Sequence, residues 1–328
     1  MIFAGLVGHR RAKELLSRAL ERSAVHTGYL FTGPAGVGKN LAAAEFVRAW
    51  LCSEAGAEPC GVCPACVLAR GPSHPDWIEV SPEEKKKSIS IKQVRDLGGW
   101  LAQSPFLGRH KAAILDPADS LGSEAANALL KTLEEPPPGR VIVLIATRPG
   151  ALPATVRSRC QQVTFGSLSD DEVAEVLRRN SWPALSARQA AALAEGSPGT
   201  ALARDGRLWQ ETAESVRALF EALAAGKRGA ALAFAEAHGD VRERALASLQ
   251  AVIGFSRLAA RRQLGDRGAG PDAVPALLGR MSSEQLGALL AGALETHRRL
   301  EGDRPPNAKL ALAMLLTGAC DTGIGQQS

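Results

Sequence analysis

The sequence predicts an α/β domain, a parallel sheet flanked by helices, followed by a region that is helical to its end. Three observations predict it. Short apolar runs alternate with helix-periodic segments through the first half. A glycine-rich turn joins the first of these runs to a helix, and strand signals stop after Phe165.

The strand-like runs are 28–32, 77–80, 112–115, 141–146 and 162–165, each short and mostly apolar, as strands buried on both faces are. Segment 39–51 continues from the glycine turn as a helix. Segment 123–135 reads as a helix with a serine cap at Ser123, stopped by Pro136-Pro137-Pro138. Ser167 to Glu172 reads as a linker ending in a capped, acid-rich helix start, and Gly196-Ser197-Pro198-Gly199 as a turn. Beyond Leu208, Val216, Leu219, Phe220 and Leu223 share one helical face, and Leu286, Leu289, Leu290 and Leu294 another. A loop is expected over 265–271 and a frayed end over 323–328.

At 328 residues the chain fits two or three domains. Its 45% hydrophobic and 22% charged residues suit a globular protein without a membrane span. The opening residues lack a basic stretch followed by a long apolar one, so a cytoplasmic location is expected. A net charge of +5 permits contact with phosphate backbones, but 4% aromatic residues argue against base stacking as the main device. Lys85-Lys86-Lys87 and Arg261-Arg262 read as solvated surface.

Gly33-Pro34-Ala35-Gly36-Val37-Gly38-Lys39 has the spacing and setting of a phosphate loop. Its glycines let amides curl round phosphates, and Lys39 reaches the terminal ones. Next should come a hydroxyl for magnesium; Asn40 is there, which predicts weakened magnesium binding. Asp116 ends the third strand and can organise a metal. Pro117 follows where an activating carboxylate would sit, and losing a general base costs ~10²–10⁴ in rate. Asp119 lies past the strand end and is expected to point elsewhere. Nucleotide binding stays open while hydrolysis is not expected.

Cys52, Cys60, Cys63 and Cys66 crowd into a loop with Glu58, Pro59, Gly61 and Pro64, which speaks for a structural metal. The spacing alone leaves zinc and iron–sulfur open. Cys160 and Cys320 read as free thiols.

The run Asn127-Ala128-Leu129-Leu130-Lys131-Thr132-Leu133-Glu134-Glu135-Pro136-Pro137 resembles bacterial DNA polymerase III clamp-loader subunits of the AAA+ class. So do Ala146-Thr147, Arg157-Ser158-Arg159-Cys160, Leu6-Val7-Gly8-His9, Tyr29-Leu30-Phe31-Thr32-Gly33 and His74-Pro75-Asp76. Within that family the delta prime branch is most similar. Gamma/tau subunits keep a threonine, an acidic pair and a lid arginine where this chain has Asn40, Pro117 and Gly199. The resemblance implies an AAA+ P-loop domain over 1–166 with a zinc module at 52–66, a small helical lid over 167–206 and an all-α collar over 207–328. It implies a nucleotide site of Val7, Gly8, Gly33, Gly36, Gly38, Lys39, Asn40, Asp116 and Thr147, and zinc on the four cysteines. It also implies that Arg159 reaches a neighbour's ATP, in a hetero-pentamer with gamma/tau and delta-type subunits acting on a sliding clamp and primed DNA. An active motor and a helicase-loader relative are the alternatives. Lys131 and Glu135, four apart, could form an ordinary helix ion pair.

Overall fold

Runs of Val, Ile, Leu and Phe without polar interruption need cover on both sides, and a parallel sheet between helices supplies it. The computed structural model describes residues 2–54, 58–71, 74–84, 86–182, 187, 190–191, 194, 196–202, 206–265, 274–302 and 304–324. Its strands are β1 (Gly28–Thr32), β2 (Trp77–Val80), β3 (Lys111–Leu115), β4 (Arg140–Ala146) and β5 (Gln161–Thr164). They form a five-stranded, all-parallel sheet in the order β2-β3-β4-β1-β5. The last strand sits one residue earlier than expected, ending at Thr164, while the Phe165 amide still donates to the Thr32 carbonyl of β1 at 2.8 Å.

Helices α1 (Arg10–Glu21) and α2 (Lys39–Leu51) precede a short α3 (Pro64–Leu68), then α4 (Ile91–Ala102), α5 (Ser123–Glu134) and α6 (Ala154–Arg157). Tyr29, Phe31, Ile114, Val141 and Val143 share a core with α1 and α2. Leu30, Ala113, Leu115, Ile142 and Leu144 share another with α4 and α5. Successive strand residues therefore enter opposite cores, which is why the strands read as continuous apolar runs. The expected serine cap on α5 is corrected: Gly122 holds the cap position and Ser123 is already helical, with no side chain capping.

Lys111 and Arg140 start their strands buried, although both are cations. Lys111 Nζ donates to the Trp100 carbonyl at 2.9 Å and lies 4.2 Å from that ring's centre. Arg140 donates to the carbonyls of Leu101, Pro138 and Gln103. The buried Asp76 accepts the amides of Phe106 and Leu107 and offsets the two cations. This cluster ties the loop after α4 to the sheet's starting edge.

Chain contacts divide the molecule between Leu168 and Ser169. The second unit begins with α7 (Asp170–Arg179), opened by the expected capping box of Ser169 and Glu172. In α8 (Pro198–Leu202), Pro198 and Gly199 are helical; the turn lies before them, at Gly196, whose φ is 74°. There follow α9 (Gly206–Ala224), α10 (Gly229–His238), α11 (Arg242–Gln263), α12 (Ala276–Arg280), α13 (Ser283–Glu301) and α14 (Ala308–Ile324). Both expected apolar faces enter one core with Leu249, Val252, Leu312 and Leu316. Leu294 departs from this: 3.6-residue periodicity has carried it off the buried stripe, and it is 41% exposed. Gly323 and Ile324 are helical, while 325–328 and most of the expected 265–271 loop lie outside the described residues. No described helix is long and apolar enough to cross a membrane.

Candidate functional site

β1 ends at Thr32, and the chain turns through Gly33 to Gly38 into α2, whose first residue is Lys39. Because β1 lies between β4 and β5, this turn opens where the strand order reverses, the usual ligand position in such sheets. Gly33, Gly36 and Gly38 have φ of 146°, 70° and 106°. A Cβ at Gly33 would stand 2.1 Å from the Phe165 carbonyl oxygen, and one at Gly38 2.8 Å from Leu6 Cδ1. Both positions therefore demand glycine.

Lys39 is 6% exposed, and its Nζ donates to the carbonyls of Gly33 at 2.8 Å and Pro34 at 2.6 Å. An ammonium has three N–H groups, so one remains for an anion. Burial lowers its pKa below the ordinary lysine value, against the opposing pull of Asp116 and Asp119. On the flank, Gly8 adopts φ 68°, His9 Nε2 meets the Val37 carbonyl at 2.8 Å, and Lys13 Nζ donates to the Leu6 carbonyl at 2.6 Å. The His9 ring also stands edge-on to Phe165, centroids 5.0 Å apart. These contacts strap Val7 and Gly8 beside the loop. Sequence reasoning singled out neither His9 nor Lys13; the only signal for His9 was its place after Val7-Gly8.

Asn40 Nδ2 donates to Asp116 Oδ2 at 3.1 Å. A hard divalent cation needs oxygen from both residues, and an amide hydrogen aimed at a carboxylate is not that donor set. As arranged, the pair does not fit magnesium. Pro117 brings no carboxylate. Asp119 sits in the 3₁₀ turn Ala118–Ser120 with its side chain only 8% exposed and paired with the Arg148 guanidinium at 3.7 Å. Its Oδ2 accepts the Arg148 amide at 3.1 Å, and its Oδ1 is buried without a hydrogen-bond partner. Ala146 pairs with Thr32 in the sheet register, so Thr147, exposed, follows beside Gly33.

Arg159 lies at the other edge of the sheet. Its carbonyl stands 3.2 Å from a Cβ built on Gly28, the residue that starts β1, whereas the phosphate loop follows the end of that strand. At about 3.3 Å per residue, β1 separates the two by roughly 15 Å. The guanidinium is 38% exposed, pairs with Glu134 Oε1 at 2.7 Å and donates to the Thr155 carbonyl at 3.0 Å. The ion pair at this end of α5 is therefore Glu134 with Arg159; Glu135 meets Lys131 through the backbone, its amide donating to the Lys131 carbonyl at 3.1 Å. Of the charge runs, Lys86 pairs with Glu83 and Arg261 with Asp170, while Lys85 lies outside the described residues.

The cysteines converge after α2. Cys52, Cys60 and Cys63 sulfurs accept the amides of Cys60, Cys63 and Cys66 at 3.3–3.4 Å, contacts that favour thiolate. All four sulfurs lie within 4.8 Å of one another, and Cys60 and Cys66 are 3.9 Å apart. A tetrahedral site with bonds of about 2.3 Å sets sulfurs about 3.8 Å apart, so the four residues fit a single structural ion. Burial pushes the Cys63 thiol up, but the Ser53 and Cys66 amides and neighbouring thiols outweigh it and bring it to about 6. Cys160 stands apart, buried, its thiol pushed up to about 12 by that burial. The side chain of Cys320 lies outside the described residues.

A parallel sheet of this order, with a glycine cradle between β1 and α2 and an aspartate ending β3, is a P-loop fold. Residues 8–169 match the family described as DNA polymerase III, delta subunit. The chain is 41% identical over 178 residues to DNA polymerase III subunit delta' of Pseudomonas aeruginosa, covering 53% of this chain and 54% of that one. It is 34% identical over 172 residues to DNA polymerase III subunit tau of Bacillus subtilis, covering 52% and 30%. The chain thus spans about half the length of the delta' relative it matches. A solved DNA polymerase III gamma subunit-related protein from Thermotoga maritima shares the fold, with TM-score 0.52 and 19% identity over 94% of this chain and 99% of that one.

Proposed function

We propose that the chain is a delta prime-like, non-hydrolysing subunit of a bacterial DNA polymerase III clamp loader, helping to place a sliding clamp on primed DNA. The observation that carries this reading is the separation within one chain of Arg159 from the phosphate loop by the length of β1. A guanidinium so placed serves a neighbour's nucleotide, with its planar fork suited to phosphate oxygens. Such an arginine supplied in trans is worth ~10³–10⁵ in hydrolysis rate.

The chain's own site lacks the means to cleave: Pro117 replaces a base, and Asn40 with Asp116 does not offer a metal's ligands. Gly33, Gly36, Gly38 and Lys39, flanked by Val7, Gly8 and Thr147, hold phosphate without turning it over. The four cysteines hold zinc, which closes the 52–66 module and takes no part in chemistry. Residues 167–206 act as the lid and 207–328 as the collar that joins gamma/tau and delta-type neighbours in a cytoplasmic hetero-pentamer.

ATP turnover by the purified chain, with Lys39→Ala as control, tests this against an active gamma/tau-like motor. The reading expects no turnover above that of the Lys39→Ala variant. Robust turnover that the variant abolishes would establish the motor.

A further inference from the structure

The residue after the phosphate-loop lysine is the one place where the cradle carries a new contact instead of a simple loss. Asn40 Nδ2 donates to Asp116 Oδ2 at 3.1 Å. Opposite a carboxylate only the N–H side of an amide is favourable, which fixes its orientation. Magnesium asks for near-octahedral oxygens at about 2.0–2.1 Å. To admit it, the Asn40 amide must turn over and surrender its bond to Asp116. The hydrogen bond thus occupies the gap that the cation bridges in a phosphate loop with a hydroxyl at this position.

The remaining charges decide which anion fits. Lys39 keeps one N–H after donating to Gly33 and Pro34, and it sits among the left-handed glycines whose amides line the loop. Asp116 is satisfied on one oxygen by Asn40, while Asp119, 8% exposed, pairs through Oδ2 with the Arg148 guanidinium at 3.7 Å and keeps Oδ1 buried and unpartnered. Both carboxylates act on Lys39. In such loops the amides cradle the first two phosphates, and a third extends toward the metal position. Here that third phosphate would meet two carboxylates with no divalent cation between them; the guanidinium beside Asp119, that of Arg148, is 81% exposed.

We propose that this chain binds a nucleoside diphosphate without a divalent cation, the Asn40–Asp116 hydrogen bond taking the cation's place. This rests on reading the loop as a phosphate cradle, which the proposed function also assumes. The third phosphate is disfavoured, so the site stays loaded with the same ligand whether magnesium is present or removed.

Calorimetry on the full chain tests it, with ADP and ATP as probes in either magnesium or EDTA. ADP affinity is expected to change by less than about 3-fold between the two buffers, and ATP in EDTA to bind at least about 10-fold more weakly than ADP. Asn40→Thr, which restores an oxygen ligand, is expected to make magnesium raise nucleotide affinity by at least about 10-fold. If that variant does not fold, Asn40→Ala serves instead; with neither donor nor ligand it should weaken ADP binding in EDTA. Absence of ADP binding, a magnesium requirement in the unmodified chain, or ATP as tight as ADP in EDTA would each overturn the proposal. None of these readouts involves Arg159, so the arginine's role in an assembly stands or falls separately.

Discussion

At the scale of single residues, Glu134 and the Thr155 carbonyl hold the Arg159 guanidinium proposed to serve a neighbour. The Glu134–Arg159 ion pair is at 2.7 Å with both side chains about 40% exposed (38% and 45%), so it belongs with surface pairs worth about 0.2–1 kcal/mol. That is enough to orient the guanidinium and too little to withhold it from a triphosphate. Glu134→Gln is therefore expected to shift the thermal midpoint only slightly, by the equivalent of ~1 kcal/mol or less. It should leave the arginine's effect on a neighbour's ATP within about 5-fold of the unmodified chain. Loss of that effect would make Glu134 part of the working site. Arg159 could be named from its resemblance, but its partner could not. In Leu133-Glu134-Glu135 two adjacent glutamates look alike, and only the end of α5 decides which faces α6. Asp119's burial was hidden for a related reason: strand alternation ceases to guide side-chain direction once Pro117 ends the strand and a 3₁₀ turn begins.

At the scale of elements, legibility followed burial. β1, β3 and β4 are buried at every position, so their apolar runs announced them. The Asp76, Lys111 and Arg140 cluster was hidden, since charged residues at strand starts look like solvent-facing ends until the loop after α4 folds over them. The cysteine loop was legible as a metal module from spacing, but only the mutual approach of the sulfurs favours one ion over a cluster. Its apolar content is small: Val62 is 81% exposed and Val67 50%. With so little core, an ion on the four thiolates would supply the module's order. Cys63→Ser is expected to remove about one equivalent of zinc per chain and to open the module to protease. The sheet should stay folded, read by an unchanged far-ultraviolet spectrum. Stoichiometric zinc retained by the variant would contradict the four-thiolate site.

At the scale of the whole molecule, one buried and two half-buried histidines tie stability to pH. His74, His110 and His238 are all held below the ordinary 6.5 by burial, with Asp76 opposing at His74 and Arg244 assisting at His238. Each takes up its proton at lower pH in the native state than in the unfolded chain, where the ordinary value is 6.5. The unfolded state then binds more protons, so stability is complete above that value and falls as pH drops through it. The melting temperature should decline between about pH 7 and pH 5.5, and His110→Gln, which removes one such group, should flatten the decline. A midpoint independent of pH in that window would count against the burial of these rings.

The central claim concerns the same scale, because it divides one reaction between two chains. It is that a cradle retained beside disabled cleavage chemistry accompanies an arginine devoted to a neighbour. The most direct test is ATP turnover of the complex assembled from this chain and gamma/tau-type and delta-type subunits of the same source, with unmodified chain or Arg159→Ala. The account predicts that the variant assembles normally and that the ATP site beside it slows by ~10³-fold or more, so the complex loses that site's share of turnover. Unchanged turnover in a fully assembled Arg159→Ala complex would contradict it.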